Sequence, residues 1–232
     1  MGKDHINVVC FYWIGDRWQD DGMGTTYVNN LFRGVSRNLD RPFDFICFTN
    51  EKLAGLDKDI IVRGFNTPTE TGVLPRIYMY SEHAGLYGSR VLALDLDIII
   101  VGSLNDIADY DGLFCARSKF APGQQHKLDG DIMSFKACRE LDLKLFHPFV
   151  KDVKQALRIT GGRERYWYRH VFEGEAVDRW DKVCPGQVVS YKRNVRTRKN
   201  KLPANARIVS CHGDPRPHVL AGKFDWAKRN WK

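Results

Sequence analysis

The sequence lacks the features that would direct a protein into or across a membrane. No stretch of its 232 residues approaches the ~18 consecutive apolar residues that a transmembrane helix requires. The N-terminal residues, MGKDHINVVC, do not show the charged, apolar and small-residue regions of a signal peptide in order. Met1-Gly2 begins like a myristoylation signal, but Ile6 stands where Ser or Thr is required. We therefore expect a soluble, cytoplasmic protein.

Cysteines are present but lack the spacing of a metal or disulfide framework. None of the six forms a Cys-x-x-Cys pair or a zinc-like pattern. Four of them lie in apolar, strand-like segments, where a free thiol behaves as a small hydrophobic side chain: Cys10, Cys47, Cys115 and Cys211. Reduced thiols are the expectation, in agreement with the missing export signal.

Acidic residues are missing from one long interval. The net charge is +8, and the eight Lys and Arg residues between Asp181 and Asp214, an interval without any acidic residue, account for all of it. Six of them form what we call the basic strip: Lys192, Arg193, Arg196, Arg198, Lys199 and Lys201. Such a strip predicts contact with a polyanionic partner, for which DNA is the first candidate, or else a solvated loop with no partner.

Strand-like and helix-like segments alternate along the chain. Apolar or β-branched segments predict strands at Ile6–Trp13, Phe43–Phe48, Asp59–Val62, Arg90–Leu94, Gly112–Ala116, Asp131–Phe135, Val188–Tyr191 and Arg207–Cys211. Amphipathic spacing predicts helices at Thr25–Leu39, Arg76–Ala84, Pro148–Ile159 and Arg163–Phe172. This order predicts an α/β fold: a single Rossmann-like domain, residues 1–232, with a mostly parallel central sheet and helices on both faces.

A pair of carboxylates follows the predicted strand Arg90–Leu94. Asp95 and Asp97 flank Leu96, and apolar residues resume at once. Because alternate residues of an extended chain share a face, both carboxylates should point the same way, with Leu96 in the core. Burying such a pair is costly without a cation or a basic partner. A hard cation such as Mg²⁺ or Mn²⁺, which also binds substrate phosphates, fits the end of a strand in an α/β sheet.

Three segments resemble GT-A-fold glycosyltransferases, especially the family 8-like enzymes and related bacterial and phage proteins. VLALDLDIIIVGSLNDI resembles their DxD segment, and IVSCHGDPRPHVL resembles their C-terminal HGxPKPW-type motif. YVNNLFRGVSRNLDRPFDFICFTN resembles the helix and second strand that follow their nucleotide-binding first strand. The resemblance implies a GT-A-like fold and transfer of a sugar from a nucleotide-diphosphate sugar, with a UDP-sugar as the expected donor. It also favours retention of the anomeric configuration.

The resemblance assigns a role to each matching residue. Asp95 and Asp97 become ligands of the metal and the nucleotide sugar, and His212 becomes the third metal ligand. Gly213 belongs to the same donor-binding motif, and Arg216 takes the basic position that contacts the diphosphate. These residue types suit the roles, because neutral imidazole binds Mn²⁺ and a guanidinium fork matches phosphate oxygens.

Four further residues are candidates for donor binding or catalysis. Tyr12 ends the first strand, where the family places the nucleotide base, so it either stacks on a uracil or is an ordinary core aromatic. Arg76 follows Pro75 at a helix start, which suits an anion such as the donor phosphates. Asp131 is the candidate for a carboxylate beside the anomeric carbon, acting as acceptor base or as a stabiliser of positive charge, with Glu164 as its competitor.

The acceptor and two rival functions stay open at this level. The basic strip and the segment RYWYRH, residues 165–170, are compatible with a hydroxymethylated pyrimidine in DNA. A bacterial surface-glycan or lipid-linked acceptor is equally compatible. A nucleotidyltransferase would also use carboxylates and Mg²⁺, but the segment IGDRWQDDGMG is not a convincing phosphate-binding loop. A non-catalytic nucleic-acid-binding module would leave Asp95 and Asp97 unexplained.

Overall fold

The computed structural model describes residues 5–15 and 24–232. Met1, Gly2 and most of the IGDRWQDDGMG segment, about which we made predictions, lie outside the described residues. The strands are β1 (Ile6–Phe11), β2 (Phe43–Phe48), β3 (Ile60–Arg63), β4 (Arg90–Leu94), β5 (Ile98–Ile100), β6 (Phe114–Ser118), β7 (Leu128–Lys136), β8 (Asp178–Arg179), β9 (Val188–Ser190) and β10 (Ile208–Ser210). The helices are α1 (Gly24–Asn38), α2 (Asn105–Ala108), α3 (Arg139–Leu141), α4 (His147–Lys151), α5 (Val153–Thr160), α6 (Glu164–Val171), α7 (Trp180–Val183), α8 (Pro217–Ala221) and α9 (Asp225–Asn230).

A seven-stranded sheet forms the centre of the fold, in the order β3-β2-β1-β4-β7-β6-β8. The β3, β2, β1 and β4 strands run parallel, and so do β6 and β8. Only β7 breaks this direction, because it pairs antiparallel with both β4 and β6. The mostly parallel sheet is thus confirmed. One consequence is that β4 ends at the same sheet edge at which β7 begins, since Leu94 pairs with Ile132.

Helices cover both faces of this sheet, as the alternation of elements predicted. Alternate residues of β1 separate into two hydrophobic clusters, with Val9 on one face and Val8 on the other. The cluster of Val9 includes Ile77 and Trp167, and the cluster of Val8 includes Leu31 of α1. All six cysteines are free, as expected. Among the described residues, no helix has the length and apolar character needed to cross a membrane.

A second, three-stranded sheet was not predicted as a separate layer. It has the order β5-β10-β9, with β5 antiparallel to β10 and β9 parallel to it. Its own hydrophobic cluster includes Ile99, Val209 and Trp231. The chain leaves β4 of the large sheet and enters β5 of the small one through the turn that carries Asp95 and Asp97. The two carboxylates therefore sit at the junction of the sheets.

Three predicted segments need correction. The segment Arg76–Ala84, predicted as one helix, is part of a pair of 3-10 helices, Leu74–Tyr80 and Glu82–Ala84. Ser81 divides them, because its extended backbone ends the first helix and its side chain caps the second. The predicted helix Pro148–Ile159 is interrupted at Asp152, whose side chain caps α5. The basic strip is a π-helix, Tyr191–Val195, followed by a 3-10 turn, Arg196–Arg198, rather than a linker-like loop.

Candidate active site

A cleft of about 630 Å³ opens at the edge where β4 ends and β7 begins. Its lining combines the turn after β4, the end of β6, the start of β7, the first turn of α6 and the segment after β10. Eight of the nine residues predicted to bind the donor or the metal, or to act in catalysis, line it: Arg76, Asp95, Asp97, Asp131, Glu164, His212, Gly213 and Arg216. Tyr12 does not line it. The fold thus gathers positions that lie far apart in the sequence.

Arg76 contacts two of the carboxylates that line the cleft. We call the buried charged residues Arg76, Arg117, Asp131 and Glu164 the floor of the cleft. Its guanidinium Nη1 lies 2.6 Å from Asp95 Oδ1, and the same nitrogen donates a short hydrogen bond to Glu164 Oε1. Arg76 is only 5% exposed. Burial alone would lower its pKa, but Asp95 and Glu164 raise the pKa above its ordinary value. The arginine is therefore a permanent cation that is already paired with carboxylates. Its contact with the donor phosphates stays a prediction.

Glu164 is the carboxylate whose proton affinity is best suited to exchange near neutral pH. Burial raises the pKa of Glu164 to about 7, against the lowering effect of the Arg76 charge and a hydrogen bond from Tyr168. That bond runs from Tyr168 Oη to Glu164 Oε2 over 3.4 Å. Gly130 leaves room for this arrangement, because a Cβ there would lie 2.6 Å from Glu164 Oε1.

Asp131 has a different environment, in which both carboxylate oxygens are occupied. Arg117 Nε donates a short hydrogen bond to Oδ1, and Ser210 Oγ donates to Oδ2 over 2.6 Å. Burial would raise the pKa of Asp131, but the charge and hydrogen bond of Arg117, together with the bond from Ser210, lower it. Of the two roles that the sequence left open, this environment favours stabilisation of positive charge over proton abstraction, because a strongly held anion is a weak base.

Asp97 and His212 both lie near the junction of the two sheets. Asp97 Oδ2 accepts a hydrogen bond from Arg216 Nη1 over 2.7 Å, and Asp97 O accepts one from the Cys211 backbone N–H over 2.9 Å. His212 follows directly, with Nε2 2.9 Å from Ser190 Oγ and its ring stacked on Phe120 at 5.9 Å between centroids. Burial lowers the pKa of His212, so the imidazole is neutral at pH 7.

The donor types in the cleft suit a divalent cation, but their positions do not yet form a closed site. Five carboxylates line the cleft, and three arginines pair with them. Two carboxylates and a neutral imidazole are ligands that Mn²⁺ and Mg²⁺ accept. Among the described residues, however, no three His, Cys, Asp or Glu side chains are grouped closely enough to hold a metal. The metal centre therefore stays a prediction.

The remaining predicted residues are distributed differently. Tyr12 is half-buried beyond the end of β1, and its ring lies where a Cβ on Gly24 would touch it, at the start of α1. Its contact with a base also stays a prediction. Gly213 has a positive φ of 68°, and a Cβ there would lie 3.2 Å from Lys192 Nζ. Of the basic strip, only Arg193 lines the cleft, whereas Arg196, Arg198 and Lys199 are exposed outside it.

Sequence reasoning missed Arg117 and its partners. Arg117 lies inside the buried strand β6 and is 5% exposed. Besides Asp131, it contacts Asp129 Oδ2 through Nη2 at 3.1 Å and the Ser118 carbonyl oxygen through Nη1 at 2.9 Å. The signal was an arginine within the apolar run FCARS, because a buried guanidinium requires a carboxylate partner. Its partners could not be read from the sequence.

Solved structures with a similar fold are glycosyltransferases. The galactosyltransferase LgtC, solved in complex with donor and acceptor sugar analogs, superposes with a TM-score of 0.64 at 13% identity over 96% of this chain and 93% of LgtC. GlyE of Streptococcus pneumoniae gives 0.65 at 13% over 96% of this chain and 61% of its own. The bifunctional glycosyltransferase WbbM gives 0.63 at 10% over 99% of this chain and 52% of its own. No protein-family model and no curated protein matches the sequence. The chain therefore has the α/β fold of these glycosyltransferases.

Proposed function

We propose that this protein transfers a sugar from a nucleotide-diphosphate sugar, with a UDP-sugar as the expected donor, to an acceptor hydroxyl. One observation carries the proposal: the fold places the carboxylates of the DxD segment and the His-Gly-x-Pro motif in one cleft. They lie there beside a buried pair of candidate catalytic carboxylates. A similar fold in glycosyltransferases supports it. Neither rival function requires all of these residues in one cleft.

Different residues of the cleft act on the diphosphate and on the sugar of the donor. Arg216, which lines the cleft, is the candidate to bind the diphosphate, for which a guanidinium fork is well suited. Asp131, held as an anion by Arg117 and Ser210, stabilises positive charge that develops at the anomeric carbon. Glu164 exchanges a proton near neutral pH, so it is the candidate to accept the proton of the acceptor hydroxyl.

A divalent cation is part of the proposal. Asp95, Asp97 and His212 would hold it, and when bound it would act as a Lewis acid that neutralises charge on the diphosphate leaving group. For the three side chains to meet, Arg76 and Arg216 must give up part of their contacts with Asp95 and Asp97. Phosphate oxygens would be suitable partners for these guanidinium groups in place of the carboxylates, because a guanidinium fork binds both kinds of anion.

For the acceptor, a glycan hydroxyl is the proposal and a hydroxymethylated pyrimidine in DNA is the second candidate. The observation that keeps DNA as a candidate is the exposure of Arg196, Arg198 and Lys199 on one short segment. The same segment is joined to the cleft through Arg193. A backbone of phosphates could follow that path, whereas a neutral glycan would not need it.

The deciding experiment is donor hydrolysis across a panel of UDP- and GDP-sugars. We expect release of the nucleoside diphosphate from at least one donor in the presence of Mn²⁺ or Mg²⁺, and loss of release in excess chelator. Lys154→Ser/Arg158→Ser, which removes two exposed charges of α5 outside the cleft, is the matched control and should behave as the wild-type protein. Absence of both hydrolysis and nucleotide binding for every donor would refute the proposed function.

A further inference from the structure

The charges that line the cleft fall into two groups. Arg76, Arg117 and Arg216 together contact all five lining carboxylates. Four further cations line the cleft without a carboxylate in hydrogen-bonding distance among the described residues: Lys119, Arg163, Arg165 and Arg193. The shortest contact of this kind is the 3.9 Å between Arg165 Nη1 and Asp129 Oδ1. Lys119 Nζ instead donates to the neutral amide oxygen of Gln124 over 2.6 Å.

These four cations belong to two different walls. Arg193 lies in the π-helix after β9 of the small sheet, and His212, Gly213 and Arg216 follow β10 of the same sheet. Lys119 follows β6 of the large sheet. Arg163 and Arg165 lie at the start of α6, which packs on β7 of that sheet. We call Lys119, Arg163 and Arg165 the second-wall cations.

The donor does not account for the second-wall cations. The proposed function assigns its diphosphate to Arg216, which follows β10 as the candidate metal ligand His212 does. The sugar must then face Asp131 and Glu164, so the second wall borders the space left for the acceptor. Like charges on a cleft wall repel one another and raise the local concentration of anions. Consistent with such a field, hydrogen bonds from Arg163 and Arg165 lower the pKa of the Tyr166 phenol.

We propose that Lys119, Arg163 and Arg165 form a subsite for an anionic group, a phosphate or a carboxylate, carried by the sugar acceptor. The inference rests on the proposed function, since it places the acceptor beside the donor sugar. Phe120 lies between the walls, stacked on His212 and with the Arg117 guanidinium 4.1 Å from its ring centroid, and offers the acceptor ring an apolar surface. The acceptor class that fits is therefore an acidic or phosphorylated sugar.

The test compares matched neutral and anionic probes. Glucose, glucuronate and glucose 6-phosphate are titrated calorimetrically into the protein, with and without saturating UDP. At low salt we expect at least one anionic probe to bind about tenfold tighter than glucose, which corresponds to about 1.4 kcal/mol. The advantage should decline as salt is added, because the cations lie near the surface. The two anionic probes distinguish a carboxylate subsite from a phosphate subsite.

Two double variants decide whether the named residues are responsible. In Arg163→Ser/Arg165→Ser the preference for the anionic probe should fall below about threefold, whereas Lys154→Ser/Arg158→Ser, with the same loss of charge on the neighbouring α5, should retain it. Equal affinities for neutral and anionic probes in the wild-type protein, or equal losses in both variants, would overturn the subsite. Failure of UDP to bind speaks against the proposed function instead, and the titration without UDP still decides the subsite.

Discussion

The floor of the cleft and its second wall hold charge in opposite ways. On the floor, Arg76, Arg117, Asp131 and Glu164 are all at least nine-tenths buried and paired with one another or with neighbouring residues. On the second wall, Arg163 is exposed and has no carboxylate partner among the described residues. The comparison teaches that floor charges are part of the folded core, so that their loss affects both stability and chemistry. Wall charges can be lost at little cost to the fold.

The largest effect is expected where the floor meets the candidate metal. Asp97→Ala and His212→Ala should each lower donor turnover at least about 100-fold, since a metal ligand contributes several kcal/mol to the transition state. Turnover with increasing Mn²⁺, measured beside binding of Mn²⁺ itself, checks this. Asp109→Ala, which removes an exposed carboxylate paired with Arg41, is the control. If either variant kept wild-type turnover with the same cation response, that residue would not be a ligand.

A second prediction tests whether the floor is as tightly packed as its charges indicate. Gly130→Ala places a methyl group 2.6 Å from Glu164 Oε1 and 2.8 Å from Tyr168 Cε2. Because both neighbours are buried, we expect the free energy of unfolding to fall by about 1–3 kcal/mol. Gly222→Ala is the matched control, since its nearest neighbours would be 3.7 Å away. Equal midpoints of urea unfolding for the two variants would show that Glu164 and Tyr168 can move away from the added methyl group at little cost.

A third prediction separates Glu164 from Asp131 by the sign of their pH dependence. The pKa of Glu164 is raised from 4.5 to about 7 on folding, so the folded state holds its proton more tightly than the unfolded chain does. Its contribution to stability is fully present below pH 4.5 and is lost as the pH rises to 7, by an amount on the order of a few kcal/mol. Asp131, whose pKa is lowered, contributes stability above its unfolded pKa and loses it as the pH falls.

The measurement is the free energy of unfolding of wild-type protein and Glu164→Gln between pH 4 and pH 8. The wild-type advantage over the variant should decrease across this range and then level off. A difference that stays constant with pH would mean that Glu164 titrates near the ordinary value for glutamate.

The smallest effect on donor turnover is expected from the basic strip outside the cleft. Arg196→Ser/Arg198→Ser/Lys199→Ser removes three exposed cations that do not line the cleft. If DNA is the acceptor, its affinity should fall and lose salt dependence, by roughly 0.7–0.9 log unit per log unit of salt for each phosphate contact removed. Donor turnover should change far less than DNA binding. A wild-type protein that shows no salt-dependent DNA binding at low ionic strength leaves the glycan acceptor as the proposal.

The parts of the fold that follow from local pattern were predictable from the sequence. The alternating apolar strands gave the central sheet, and the four-residue spacing from Tyr27 to Leu39 gave α1 with its ends within one residue. The second sheet was not predictable as a separate layer, because the strands β5 and β10 are separated by almost half of the chain and each is only three residues long. The 3-10 helices starting at Leu74 carry the apolar spacing of a short α-helix, so the pattern alone could not distinguish them.

The candidate site was also predictable only in part: its short sequence motifs could be recognised, whereas contacts between residues distant in the sequence could not. Asp95, Asp97, His212 and Arg216 were found through short motifs, and the structure brings all four to one cleft. The turn after β4, rather than a continued strand, aims the two carboxylates at it. The pairing of Arg117 with Asp131 depends on how β6 and β7 meet, which no local pattern records. The occupied oxygens of Asp131, which decide between its two predicted roles, depend on Ser210 from the other sheet.

The junction between the two sheets also fixes when, during synthesis, the cleft is completed. The turn that carries Asp95 and Asp97 is bound on one side by the Asp131 carbonyl oxygen and on the other by the Cys211 backbone N–H. Ile100 of β5 has its partner in Ile208 of β10. A chain that emerges from the ribosome with its N-terminus first can assemble β1, β2 and β4 early, but the junction must wait for β10. The cleft is therefore completed last, because its lining includes His212 and Arg216, which follow β10.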